Sequence, residues 1–209
     1  MVVLDNTKIM LSPDELLLAQ NSDWILTKRT IIEKAVQLLA DLSGKIRPVI
    51  VNYEKRLPAA VIASEPRISK GESYLLLPYV LLDYPRCFDK ENIFAIRTMF
   101  WLGNFFSITV HLSCGYKTEY AAVLIDHIDE LQDGGYYICV NDGQWHHHFE
   151  PGNYFLAAGK NKGELEDMIQ QRSFIKIARK FSLAQWNEMP AILDRSFSAM
   201  MELMTPSAP

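Results

Sequence analysis

Little in this chain of 209 residues announces a chemistry. It has no G-x-x-x-x-G-K-[ST] loop, dinucleotide fingerprint, nucleophile elbow, HExxH or CxxC, so the enzyme classes that rest on those motifs have no support. No cofactor is expected. Cysteine is scarce: Cys87, Cys114 and Cys139 are odd in number and widely spaced, which fits reduced, buried thiols better than a disulfide frame or a zinc site. Charge of one sign is scarce too. A net charge of -4 gives no bulk attraction to nucleic acid or anionic membrane, and neither is expected as a partner. The longest apolar stretch, YLLLPYVLLDY, is too short to span a bilayer, and the N-terminus meets Asp5 where a signal peptide needs a basic segment and an apolar run. A cytoplasmic protein is the expectation. Repeats and low-complexity tracts are also missing.

What is present is a strong β signal from Ile93 to Ser113. Phe106, Ile108, Val110 and Leu112 alternate with Ser107, Thr109 and His111, as a half-buried strand requires. Gly103-Asn104 supplies turn residues, so the stretch reads as a hairpin. A two-residue loop would set Val110 opposite Arg97 and Phe106 opposite Trp101, putting a charge on the core face. A three-residue loop, Leu102-Gly103-Asn104 with Asn104 left-handed, sets Phe94, Ile96, Thr98 and Phe100 against Leu112, Val110, Ile108 and Phe106. The second register is preferred because it makes one apolar face. Its other face carries Ala95, Arg97, Met99 and Trp101 beside His111, Thr109, Ser107 and Phe105.

Around the hairpin, Ser12-Pro13-Asp14-Glu15 is a helix start, and Ile25, Ile32, Ala35, Val36, Leu39 and Leu42 predict a second helix from Ser22 that stops at Gly44. VIV and AAVIA between Lys45 and Pro66 read as extended chain. Ile68 to Tyr74 reads as a loop, Tyr74 to Asp83 as a peripheral or bent strand interrupted by Pro78, and Tyr84 to Asn92 as a loop. A helix capped at Thr118 runs through Leu131 to Gly134-Gly135, preferred to a strand at AAVLI because the 3.6 period continues to Leu131. Tyr136 to Val140 and Trp145 to Phe149 predict a second hairpin about Asn141-Asp-Gly-Gln144. Glu164 to Gln171 reads as helix and Phe174 to Phe181 as strand. The closing helix follows Ser182, with Trp186, Met189, Leu193, Phe197, Met200 and Met204 as its stripe and a kink or fresh start at Pro190. Thr205 to Pro209 should fray.

The expected class is α+β: an antiparallel sheet built on hairpins, helices packed on one face, and a closing C-terminal helix. The order resembles helix-grip folds, which implies by analogy a ligand cavity between sheet and closing helix. One domain is expected over 1–209, with N-terminal helices at about 12–43, the sheet at about 59–149 and a helix-strand-helix at about 161–204.

Three constellations carry chemistry. Arg97 lies in mid-strand, where a guanidinium needs a carboxylate, a ligand anion or an aromatic face; pairing with Asp83 or Glu72 is the plainer reading. With His111, Trp101 and Thr109 on the same face it outlines a pocket wall or a surface covered by a helix, and the closing helix is expected to cover it in part and leave it open to a ligand in part. Arg67, Lys70 and Arg86 near Gly71 and two serines offer an anion site, although a turn with paired charges explains them too. In Trp145-His146-His147-His148-Phe149, strand alternation pairs His146 with His148, and Glu150 or His111 could complete a metal site; a solvated edge accounts for the histidines as well, so no metal is expected. The leading functional expectation is a binding protein for a small anionic ligand. The alternatives are a histidine- or metal-dependent hydrolase-like enzyme and an oligomerising structural or regulatory protein, so a homo-oligomer stays open.

Overall fold

The computed structural model describes residues 9–89 and 92–206; the N-terminus through Lys8, the Lys90-Glu91 part of the anticipated Tyr84–Asn92 loop and the last tail residues, 207–209, lie outside the described residues. The chain begins with α1 (Pro13–Ala19), α2 (Ser22–Asn52) and α3 (Ala59–Ile62), followed by β1 (Arg67–Tyr74), β2 (Leu77–Asp89), β3 (Asn92–Trp101) and β4 (Phe105–Ser113). Then come α4 (Cys114–Asp126), α5 (Ile128–Asp133), β5 (Tyr137–Cys139), β6 (Tyr154–Leu156), α6 (Lys162–Gln171), β7 (Phe174–Ser182) and α7 (Met189–Glu202). The strands form one antiparallel sheet in the order β1-β2-β3-β4-β7-β5-β6, and the α+β class is the one expected.

The β3–β4 hairpin has the preferred register: Phe94 pairs with Leu112, Ile96 with Val110, Thr98 with Ile108 and Phe100 with Phe106. Gly103, at φ 81, and not Asn104 takes the left-handed place in the loop, because a residue without Cβ adopts it at least cost. The apolar face so formed packs with Leu39, Leu42, Ile46 and Ile50 of α2 and Leu193, Phe197 and Met200 of α7. Side chains such as Phe100 and Phe106 are fully buried there, each worth roughly 1.5–3 kcal/mol by transfer from water. Trp186, in the turn before α7, closes edge-on over both rings. The fresh start at Pro190 is real, since the proline stands in the first turn of α7.

Several expectations need correction. Gly44 does not stop α2, and VIV is its last turn and not a strand, because Leu42, Ile46 and Ile50 keep a four-residue spacing buried under the sheet; packing outweighs the propensity of one glycine. AAVI is likewise the short α3. The segments before and after Tyr74–Asp83 are strand, not loop: β1 covers Arg67–Tyr74 and β2 runs on to Asp89. That leaves β2 interior, with Pro85 lodged in the register shift between Asp83 and Arg86, where no ladder donor is needed. The anticipated hairpin about Asp142-Gly143 is absent. β5 pairs with β6 and β7 instead, and 140–153 is an irregular loop between β5 and β6. Ser113, not Thr118, precedes the first turn of α4, and a break at His127 separates α5. Thr205 is buried, and its carbonyl bonds His127 Nε2 at 2.7 Å, so the chain does not fray there. Among the cysteines Cys139 is buried, Cys87 half-buried and Cys114 exposed. Among the described residues no helix is long and apolar enough to cross a membrane.

Candidate functional site

Among the described residues, the hydrophobic clusters on the other face of the sheet are built from strand and loop residues and include none from a helix. The expectation that the closing helix covers it, with a cavity between, is corrected: α7 belongs to the core on the opposite face. Loop 140–153 covers it instead, and the two layers enclose a polar network. Strand alternation brings Asp83, Arg97, Thr109, His111 and Lys176 to this side, because each is flanked by core residues that point the other way. Asp83 faces Arg97, Arg97 faces Thr109, and His111 faces Lys176.

Arg97 makes a fork to Asp83, Nε to Oδ1 at 2.7 Å and Nη2 to Oδ2 at 2.9 Å, and its Nη1 lies 3.0 Å from His147 Nε2. A guanidinium only donates. His147 Nε2 therefore accepts, and the ring is neutral with its proton on Nδ1. Burial, with Lys176 and Arg97 nearby, drives the His147 pKa down to about 2. His111 Nε2 stands 3.1 Å from Gln144 Oε1, to which it donates. Burial first and then Lys176 lower its pKa to about 3. Thr109 hydrogen-bonds the hydroxyl of Tyr154, whose burial raises its pKa well above the ordinary value.

Lys176 is 1% exposed. Its ammonium donates to the His146 carbonyl and lies 5.2 Å from the centre of the Tyr154 ring. Among the described residues no carboxylate stands within ion-pair distance of it. Burial lowers its pKa from 10.5 to about 8. Trp101 Nε1, buried beside Tyr74 and Phe105, has no acceptor among the described residues. The layer is thus rich in donors and positive charge, with Arg97 and Lys176 set against Asp83.

The loop is held by its backbone. The Tyr74 hydroxyl accepts from the amides of His147 and His148, at 2.6 and 3.1 Å, and its own proton faces His148 Nδ1 at 3.0 Å. Asn153 holds the His148 carbonyl, and Arg172 holds the Asn141 carbonyl. Phe149 stacks on Tyr154 at 4.6 Å. These side-chain anchors replace a strand ladder, which is why a stretch that alternates like a strand is not one.

Of the residues expected at a site, Arg97, His111, Thr109 and Trp101 do share this layer. Lys70 and Arg86 do not. Lys70 is exposed and pairs with Val80 on the helix side, and the Arg86 Nε donates to the Glu65 carbonyl at 3.2 Å. The histidine string divides: His147 turns in to Arg97, while the His146 and His148 rings lie 5.6 Å apart. Neither Glu150 nor His111 joins them in a metal-binding group, and the described residues hold no cluster of three or more His, Cys, Asp or Glu suited to one. Lys176 is a member of the layer that the sequence reading does not include. The signal was there, since F-I-K-I-A places it opposite the inward Ile175 and Ile177.

No protein-family model matches the chain, and neither a curated protein nor a solved structure does.

Proposed function

We propose that this is a binding protein for a small anionic ligand, carried as a carboxylate or phosphate, which enters beneath loop 140–153 and takes the place of the loop's own acceptors. The observation that supports this reading best is the charge of the layer: buried Lys176 and half-buried Arg97, whose side chain is 14% exposed, stand against one ion-paired carboxylate among the described residues, that of Asp83. Burying an unbalanced cation is costly. Here the excess is met by neutral acceptors, His147 Nε2 on Arg97 and the His146 carbonyl on Lys176. An anion in their place makes charge-assisted bonds roughly twice as strong as neutral ones. The cover suits the role, because irregular loops as long as about 12–15 residues in compact domains usually serve binding or gating.

The ligand pocket therefore lies between sheet and loop. A histidine-dependent hydrolase is the weaker reading, since imidazoles held at about 2 and about 3 take up no proton near neutral pH. A cytoplasmic location goes with the reading through its three unpaired cysteines.

Hydrogen exchange of the amides of residues 141–149, with and without inorganic phosphate or a dicarboxylate, tests the proposal. Ligand-dependent change confined to this loop and to Tyr74 supports it. Unchanged exchange across a broad anion series would rule against it.

A further inference from the structure

Apart from this layer, α1 is capped at its start by Ser12 and Glu15 but buries none of its side chains. An isolated helix below about 12–15 residues is marginal in water, yet α1 has seven residues and none is buried. Of the exposed large apolar side chains, Ile9, Met10, Leu11, Leu16, Leu17, Leu18, Trp24, Ile25 and Leu26 all fall within residues 9–26. An apolar concentration of this kind marks a surface that is covered in use.

The same chain carries a groove of matching character. It lies between α2 and the turn leading to α7, has a volume of about 900 Å³, and is lined by Leu38, Ala40, Leu42, Gly44, Trp186 and Pro190 together with the polar Gln37 and Asn187 and the charged Lys34, Lys45 and Asp41, a net positive set. A Cβ on Gly44 would meet nothing within 4 Å, so a helix can approach closely there. A smaller apolar hollow continues it past Lys34 to Phe100 and Leu183. Charges match as well. Residues 9–26 contain Asp14, Glu15 and Asp23 and no Lys or Arg. Lys34 and Lys45 have no ion-pair partner among the described residues.

We infer that α1 of one copy of this chain docks in the α2–Trp186 groove of a second copy, and reciprocally, giving a two-fold dimer. Its own groove is out of reach. Only Gln20 and Asn21 separate α1 from α2, α1 is about 10 Å long, and Leu38 lies about 24 Å along α2 from its start. With the two α2 helices antiparallel, residues midway between Leu17 and Leu38 face their own counterparts at the axis, as an isologous contact requires. Trp24, Ile25 and Leu26 are exposed within a turn of that point. One arrangement thus covers arm, groove and the apolar stretch between them.

The test is the mass in solution of the full chain, measured by sedimentation velocity from low to high micromolar concentration, for the wild type, Leu17→Glu, Ala40→Trp, Glu15→Lys, and Glu15→Lys combined with Lys34→Glu and Lys45→Glu. The wild type should have twice the monomer mass. Leu17→Glu and Ala40→Trp should each be monomeric with unchanged circular dichroism, and mixing the two should restore half of the contacts as a heterodimer of intact arm and intact groove. Glu15→Lys should weaken the dimer at least tenfold and the charge exchange should recover it. A wild type that stays monomeric overturns the inference, and so does a dimer indifferent to Leu17→Glu.

Discussion

His111 and Lys176 face each other across the β4–β7 ladder, both buried, and among the described residues neither pairs with an acid; each bonds a loop acceptor instead, Gln144 for the imidazole and the His146 carbonyl for the ammonium. A strand pair that places two basic groups side by side in the interior costs stability. The cost should be measurable through pH.

For Lys176 the folded pKa of about 8 lies below the ordinary 10.5. Between those values the unfolded chain holds more protons, so stability rises with pH across the window and the penalty is fully present below it. Lys176→Met removes the penalty together with the bond to the His146 carbonyl. Relative to the wild type it should lose roughly 2–3 kcal/mol on going from pH 7 to pH 10. Denaturant melts of both proteins check this. Parallel curves would mean the ammonium is not desolvated.

His111 and His147 act at the acid end. Their folded pKa values, about 3 and about 2, lie below the ordinary 6.5, so the unfolded chain takes up protons as pH falls through 6.5 and stability drops. Two such groups give a slope of roughly 2–3 kcal/mol per pH unit between pH 6 and 5. His147→Gln, which keeps an acceptor for Arg97, should remove about half of the slope from this pair, and adding His111→Gln should remove the other half in melts over that range, leaving the share of His148, whose pKa burial also lowers.

The Arg97–Asp83 fork is half of the layer's charge balance. Arg97→Met strands a buried carboxylate and should cost roughly 3–5 kcal/mol. Asp83→Leu in the same chain should recover most of the loss, since replacing a buried pair by apolar groups is close to neutral. Urea melts of the two single variants and the double variant give the coupling. Additive losses would show that the fork contributes nothing as a pair.

At the β1–β2 tip, Leu75 and Leu76 stand at φ 46 and φ 67, and both are exposed. Such a turn favours Asn-Gly, and left-handed leucines cost roughly 1–2 kcal/mol each. Leu75→Asn with Leu76→Gly should raise stability by about 1–3 kcal/mol in thermal melts.

Much of the architecture was legible from periodicity. The β3–β4 register followed from asking which loop length keeps Arg97 off the core face, and the stripe of α7 from its spacing. What escaped depends on partners remote in sequence. Gly44 and Pro48 both suggest a helix end, but Ile46 and Ile50 find buried places under the sheet, and α2 continues. Trp145 to Phe149 alternates like a strand, yet Tyr74, Lys176 and Asn153 claim its backbone groups, and no local pattern encodes that. The site was half visible: Arg97, His111, Thr109 and Trp101 share a face by parity. Lys176 joins them only once β7 is known to lie beside β4.

The most direct test of an anion site under the loop is calorimetric titration of the wild type and Lys176→Met at pH 7, in a buffer of organic cations, with inorganic phosphate, sulfate and a series of mono- and dicarboxylates. At least one of these anions should bind the wild type and bind Lys176→Met at least tenfold more weakly, a difference of about 1.4 kcal/mol. Equal affinity in the two proteins, or no binding by any member of the series, would contradict the account.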